Sequence, residues 1–167
     1  VCDFAAGIAG PYSSMMLAQY GADVVKVEAL EGDWIRNTGG RLKGDHGAQS
    51  LVTARGKRSL AIDLKDPKGH EIALKLAAKA DIITESFRPG VIKRLGLDYD
   101  TVRTQNQGVI YLSVSGFGQS GPHSQRAAMD LILQAFSGLM SVTVDSEERP
   151  IRIGIATVEA GWKGWLE

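Results

Sequence analysis

The stretch that decides the fold is VCDFAAGIAGPYSSMMLAQYGADVVKVEA, residues 1–29. VCDFA reads as a short strand. GPYSSMMLAQYG reads as a helix, with Pro11 at its first position and Gly21 just past its end, the places where a fixed φ and a left-handed residue are favoured. DVVKVEA is a second strand. Strand, helix and strand with short joints make a βαβ unit, which requires a parallel pair. The pattern repeats outward. SLAIDL (59–64), DIITES (81–86), GVIYLSVSG (108–116) and RPIRIGI (149–155) read as strands. DPKGHEIALKLAAKA (66–80) is a helix with Asp66 as N-cap, Pro67 next to it, and Ile72, Leu76 and Ala80 at helical spacing. RPGVIKRLG, DYDTVRTQN and DLILQAFSGLM are further helices, the second capped by Asp98 or Asp100. Residues 29–56 are Gly-rich, carry Arg36, Arg41, Lys43 and Arg55, and lack periodicity, so they read as a long excursion loop. The expected fold is α/β: one Rossmann-like domain over 1–167, with an open, mostly parallel sheet and helices on both faces. In such sheets ligands bind outside the carboxyl ends of the strands.

Composition narrows the function. The 19 basic and 19 acidic side chains balance, which argues against a general nucleic-acid binder. Cys2 is the single cysteine, so neither a disulfide framework nor a multi-Cys zinc site is available. His46, His70 and His123 show no metal-ligand spacing, and no metal is expected. No apolar run approaches the ~20 residues that cross a bilayer. No signal peptide is evident, and a reducing, cytoplasmic setting without a membrane partner fits. The chain begins inside a strand without an initiator Met, as if part of something longer.

The first βα turn, AAGIAGP, is glycine-rich and enters a helix N-terminus, a place that suits a phosphate. Glu28 ends the second strand, where a dinucleotide fold keeps its ribose-binding acid. The spacing is G-x-x-G rather than G-x-G-x-x-G, and Pro11 removes an N–H donor. The alternative is a tight turn that needs small residues. Lys65, Arg88 and Arg94 follow strands and would ring one sheet edge, as a polyphosphate ligand requires. The alternative is a solvated face paired with Asp63, Asp66 and Asp81. LSVSGFGQSG contains no G-x-S-x-G, so no nucleophile elbow is supported. Met15, Met16, Leu17, Phe136 and Met140 are most simply core, and His70 is a surface residue of its helix.

Four stretches occur in a telling order: AGPYSSMMLAQYGADVVKVE, GKRSLAIDLKDPKG, DIITESFRPGVIKRLGLDYD and IYLSVSGFGQSGP. Together they resemble the family III CoA transferases, the CaiB/BaiF group, over Val1 to Glu159. The resemblance implies the N-terminal part of the large domain of a longer chain that forms an interlocked homodimer. It implies coenzyme A, carried as an acyl-CoA substrate, and a carboxylic acid acceptor as partners. Ile8 and Ala9 would approach the pantetheine arm and thioester. Arg36 would meet a phosphate, and Ile62 and Lys65 the adenine and phosphate sides. Ser86, Phe87 and Arg88 would form a wall, completed by Arg94 and Leu95. Counting from Pro150, the family's nucleophilic aspartate falls on Glu159. A glutamate offers the same group with a similar pKa (~4.3 against ~3.9) but reaches about 1.5 Å further. The racemase relative would need a His at Met129, which cannot exchange a proton. The resemblance therefore implies an acyl-CoA:carboxylate CoA-transferase. The competing readings are a non-catalytic CoA- or nucleotide-binding module and a nicotinamide oxidoreductase domain.

Overall fold

The computed structural model describes residues 1–44 and 46–154. They group into two compact units, Val1–Val114 and a second that begins at Ser115. The first unit runs β1 (Cys2–Asp3), α1 (Ala9–Gln19), β2 (Val24–Glu28), a 3-10 turn (Trp34–Asn37), β3 (Arg41–Lys43), β4 (His46–Gly47) and α2 (Ala48–Thr53). It continues with β5 (Lys57–Ala61), α3 (Pro67–Ala77), β6 (Ile82–Glu85), α4 (Val91–Arg94), α5 (Tyr99–Arg103) and β7 (Ile110–Ser113). The main sheet has the order β5-β2-β1-β6-β7, and every pairing in it is parallel. The chain moves outward from β1 through β2 to β5, then crosses back to β6. The switch point therefore lies between β1 and β6, the crevice where such sheets take ligands.

The two faces of this sheet differ in chemistry. Asp3 is in register with Lys26 and Thr84, and Lys26 with Ser59. Alternate residues of a strand share a face, so Asp3, Lys26, Glu28, Lys57, Ser59 and Thr84 all point one way. Cys2, Val27 and Ile83 point the other, into an apolar cluster with Phe4, Ile62, Ile92, Leu97 and Val102. Helix α1 covers the polar face. Ser14 Oγ on α1 donates to Asp3 Oδ2 at 2.6 Å. Lys57 Nζ donates to Asp3 Oδ2 (2.8 Å), Pro11 O (2.7 Å) and Ser14 Oγ (2.7 Å). Thr84 Oγ1 and the Ala5 N–H donate to Asp3 Oδ1 at 2.8 and 3.0 Å. The side chains of Lys57 and Asp3 are 1% and 0% exposed.

Helix α3 covers the apolar face. Asp66 caps it by accepting from the N–H groups of Lys68 and Gly69 at 2.9 and 3.0 Å, with Pro67 in the first turn. Its buried stripe is Gly69, Ala73 and Ala77; of the expected Ile72, Leu76 and Ala80, Ala80 joins the core just past the helix and Leu76 packs against it half-buried. Ile72 is 43% exposed. Small residues win because the helix lies close on the chain: a Cβ at Gly69 would sit 2.0 Å from Asp63 O.

Several expectations need correction. Residues 29–56 are not a plain loop; they hold the 3-10 turn, the β3–β4 hairpin and α2. Gly47 permits this folding, since a Cβ there would lie 2.3 Å from Thr38 O. Pro11 occupies the third position of α1, not the first. His70 is half-buried, with Nε2 2.7 Å from Leu95 O. Met15 is core, but Met16 and Phe136 are 44% and 55% exposed. The second unit holds α6 (Asp130–Phe136) and a 3-10 turn (Leu139–Ser141). RPIRIGI is not a strand over its described residues. Pro150 forms only an isolated antiparallel bridge with Val144, and the Ile153 N–H is donated to the Gln134 side chain at 2.9 Å instead of to a ladder. Glu159 lies outside the described residues.

Breaking a buried ion pair on one side leaves a charge stranded, at a cost of about 3–5 kcal/mol. Lys57→Met is therefore expected to lower the urea unfolding free energy by about that amount. Adding Asp3→Asn should recover part of it, because the stranded carboxylate is gone.

Candidate ligand site

The carboxyl ends of β1, β2, β5 and β6 open onto one cleft of about 620 Å³. Phe4, Val27 and Ile62 form its apolar floor, Phe87, Val91 and Leu95 one wall, and Lys65 stands at the rim. Glu85 directs that wall. It is 1% exposed on the apolar side of β6, and Oε2 accepts from the Phe87 N–H at 2.8 Å. Burial raises its pKa, against hydrogen bonds from Ser113 and Phe87.

The first βα turn forms the inner end of the cleft, and side chains already take three of its amides. Ala5 N–H is donated to Asp3 Oδ1. Ala6 N–H is donated to Ser86 Oγ at 3.0 Å, and Ser86 Oγ in turn donates to Ala6 O at 3.1 Å. Gly7 N–H lies 3.1 and 3.0 Å from the two carboxylate oxygens of Asp33. Gly7 holds φ +80, and a Cβ there would lie 2.5 Å from Trp34 Cζ2. A dinucleotide fold offers such amides to a pyrophosphate; here Ala5, Ala6 and Gly7 have committed theirs to side chains.

Glu28 is equally committed. Arg36 Nε and Nη2 donate to its two oxygens at 2.8 and 2.6 Å, Ser59 Oγ donates at 2.7 Å, and the Asp33 N–H at 2.9 Å. Burial opposes the charge, but these donors outweigh it and hold the Glu28 pKa down at about 2, against an ordinary 4.5. A carboxylate so occupied has no oxygen to give a ribose. The nicotinamide reading loses its ribose-binding acid.

The structure brings together Ile62, Lys65, Phe87 and Leu95 around the cleft. Ile8 is the N-cap of α1 and Ala9 its first residue, both half-buried just beyond the turn and outside the cleft lining. Ser86 grips the turn rather than lining the cleft. Arg88 and Arg94 are exposed and stand outside the lining. Arg36 is paired with Glu28 and lines a separate cleft of about 270 Å³ with His46 and Arg55. The sequence reading missed Asp33, Lys26, Asp3 and Lys57. One signal could have found them: a lysine inside VVKVE or an aspartate inside VCDFA must find a partner if the strand is covered on both faces.

The sequence model of CoA-transferase family III matches residues 1–162. The chain belongs to this family. A succinate–glutarate CoA-transferase of Agrobacterium fabrum is 39% identical over 166 residues, covering 95% of this chain and 42% of that protein. A human succinyl-CoA:glutarate CoA-transferase is 38% identical over 160 residues, covering 95% of this chain and 36% of that protein. The crystal structure of a CaiB/BaiF family protein from Brucella suis superposes with a TM-score of 0.89 at 36% identity, over 95% of this chain and 43% of that one. The chain thus spans about two fifths of the length of the family III relatives it matches.

Two outcomes follow from the turn and from Glu28. Gly7→Ala is expected to destabilise the chain by about 1–2 kcal/mol from the left-handed φ alone, and Trp34→Ala in the same chain should relieve the contact but not that part, as urea titrations will read. The folded pKa of Glu28 lies below its unfolded value, so its contribution is complete above about pH 4.5 and is lost as pH falls toward about 2. Glu28→Gln should flatten the fall of the urea midpoint across that window.

Proposed function

We propose that the chain is the CoA-binding part of an acyl-CoA:carboxylate CoA-transferase. The observation that carries this reading is the cleft at the strand ends, with an apolar slot of Ile62, Phe87 and Leu95 beside the Lys65 ammonium. An adenine needs the slot and the phosphates need the cations. Arg88 and Arg94 lie exposed on the segment that leads from β6, where a ligand leaving the slot would meet them. Arg36 reaches a phosphate only by sharing its guanidinium with Glu28. Ile8 and Ala9 stand at the other end, toward the pantetheine arm and thioester.

Glu159 is the nucleophile in this proposal. Its carboxylate attacks the thioester carbonyl, forming a mixed anhydride and releasing CoA thiolate. The thiolate attacks the glutamyl carbonyl, giving a glutamyl-CoA thioester and the first carboxylic acid. The acceptor carboxylate then repeats the two steps in reverse order, and Glu159 is restored with the new acyl-CoA formed. This is covalent catalysis by a carboxylate. The names of the matched relatives, with succinate and glutarate among them, favour short dicarboxylic acids as the exchanged partners. The reading carries with it a homodimeric full-length form in the cytoplasm. No helix among the described residues is long and apolar enough to cross a membrane. A second reading, a CoA-binding module without catalysis, is favoured by one observation: glutamate stands at 159, where the nucleophile of the resembled family is aspartate. Mass spectrometry of the chain after incubation with succinyl-CoA separates the two, since an adduct on Glu159 requires the first.

Calorimetric titration with CoA tests the binding. The chain is expected to bind, and Lys65→Ala with Arg94→Ala together should weaken binding by about 10- to 100-fold through the loss of two charge-assisted contacts. A folded chain that ignores CoA would end the reading.

A further inference from the structure

The turn that ends the cleft is held from outside its own helix. Asp33 belongs to the segment after β2, yet both of its carboxylate oxygens lie within 3.1 Å of the Gly7 N–H. It also accepts from the Ile35 N–H at 3.1 Å, which starts the 3-10 turn. Lys26 braces the arrangement. Its Nζ lies 2.9 Å from Asp33 Oδ2 and donates to Ala5 O at 2.7 Å. Both side chains are almost fully buried, at 5% and 2% exposed. Trp34 lies on Gly7 and closes the remaining space. A buried carboxylate and ammonium pair thus pins the turn at Ala5 O and Gly7 N–H, on either side of the Ala6 peptide that Ser86 holds. Ile8 and Ala9 follow directly, so their position is set by this grip.

We infer that Asp33, braced by Lys26, is a positioning residue that sets the first βα turn against the pantetheine and thioester end of CoA. The inference rests on the CoA-binding reading. It makes a distinction that a general stabilising role does not: the nucleotide half of the ligand lies in the slot of Ile62, Phe87 and Leu95, away from the turn. Loss of the grip should therefore cost affinity for the arm and spare affinity for the nucleotide.

The test is calorimetry of the chain and of Asp33→Asn with two ligands, CoA and adenosine 3′,5′-bisphosphate. Asparagine keeps one acceptor oxygen but loses the charge. CoA should bind on the order of tenfold more weakly, the loss of one charge-assisted bond, while the bisphosphate changes less than about twofold. Lys26→Gln should shift the same ratio in the same direction and serves if Asp33→Asn does not fold. Amide hydrogen exchange on the unliganded chain reads the grip itself: Gly7 should exchange slowly in the original chain and faster in either variant. Equal weakening of both ligands, unchanged CoA affinity, or a Gly7 amide that exchanges freely in the original chain would each overturn the inference. An original chain that binds neither ligand would overturn the CoA reading first and this inference with it. A slow Gly7 amide in that case would show that the grip exists and the ligand assignment is what failed.

Discussion

A carboxylate at the centre of a sheet must be neutralised, and Asp3 is the constraint on which the rest of this structure depends. It sits on the middle strand, shut off from water, and accepts from a lysine of β5, a serine of α1, a threonine of β6 and the next turn of its own chain. Each donor comes from a different element, so the single carboxylate fixes three elements relative to β1. A slip of one residue would turn Cys2 or Phe4 toward the Lys57 ammonium and leave it without a counter-charge. The strand order β5-β2-β1-β6 follows from these partnerships as much as from apolar burial.

The same polar face continues to the carboxyl edge. Lys26 and Glu28 lie two residues apart on β2 and each engages the segment after it, Lys26 through Asp33 and Glu28 through Arg36. Charges that hold the sheet thus become charges that hold the loops above it. The apolar face does the complementary task. Its cluster carries α3, α4 and α5 and ends at the slot formed by Ile62, Phe87 and Leu95. One face shapes backbone and the other supplies a surface for an apolar ring system.

The fold was legible in the sequence because its signals are local. The βαβ opening, the Asp66–Pro67 start of α3 and the alternation of strands and helices all survive in the structure. The excursion was not legible, because its hairpin depends on Gly47 fitting under carbonyls of residues well before it, a tertiary requirement without periodicity. On α3 the expected Ala80 is buried and Leu76 packs on the core, but Ile72 is exposed, because close packing selected the small Gly69, Ala73 and Ala77. At the site, apolar and cationic residues following the strands were readable, and Ile62, Lys65, Phe87 and Leu95 share a cleft. Arg88 and Arg94 were placed there by their position after a strand and by the family resemblance, and they stand outside the lining. The partners of Glu28 and Gly7 were invisible, since they are backbone and side-chain groups 5 to 31 residues away along the chain.

The division of the sheet into an ionic and an apolar face also sets how the molecule answers to temperature. Apolar burial weakens on cooling, while the desolvation cost of buried charges falls on warming. Cooling therefore works against both faces at once, loosening the apolar contacts under α3–α5 and raising the cost of keeping Asp3 and Lys57 buried beneath α1. The slot and the turn at the inner end of the cleft, one built on each face, should loosen together in the cold.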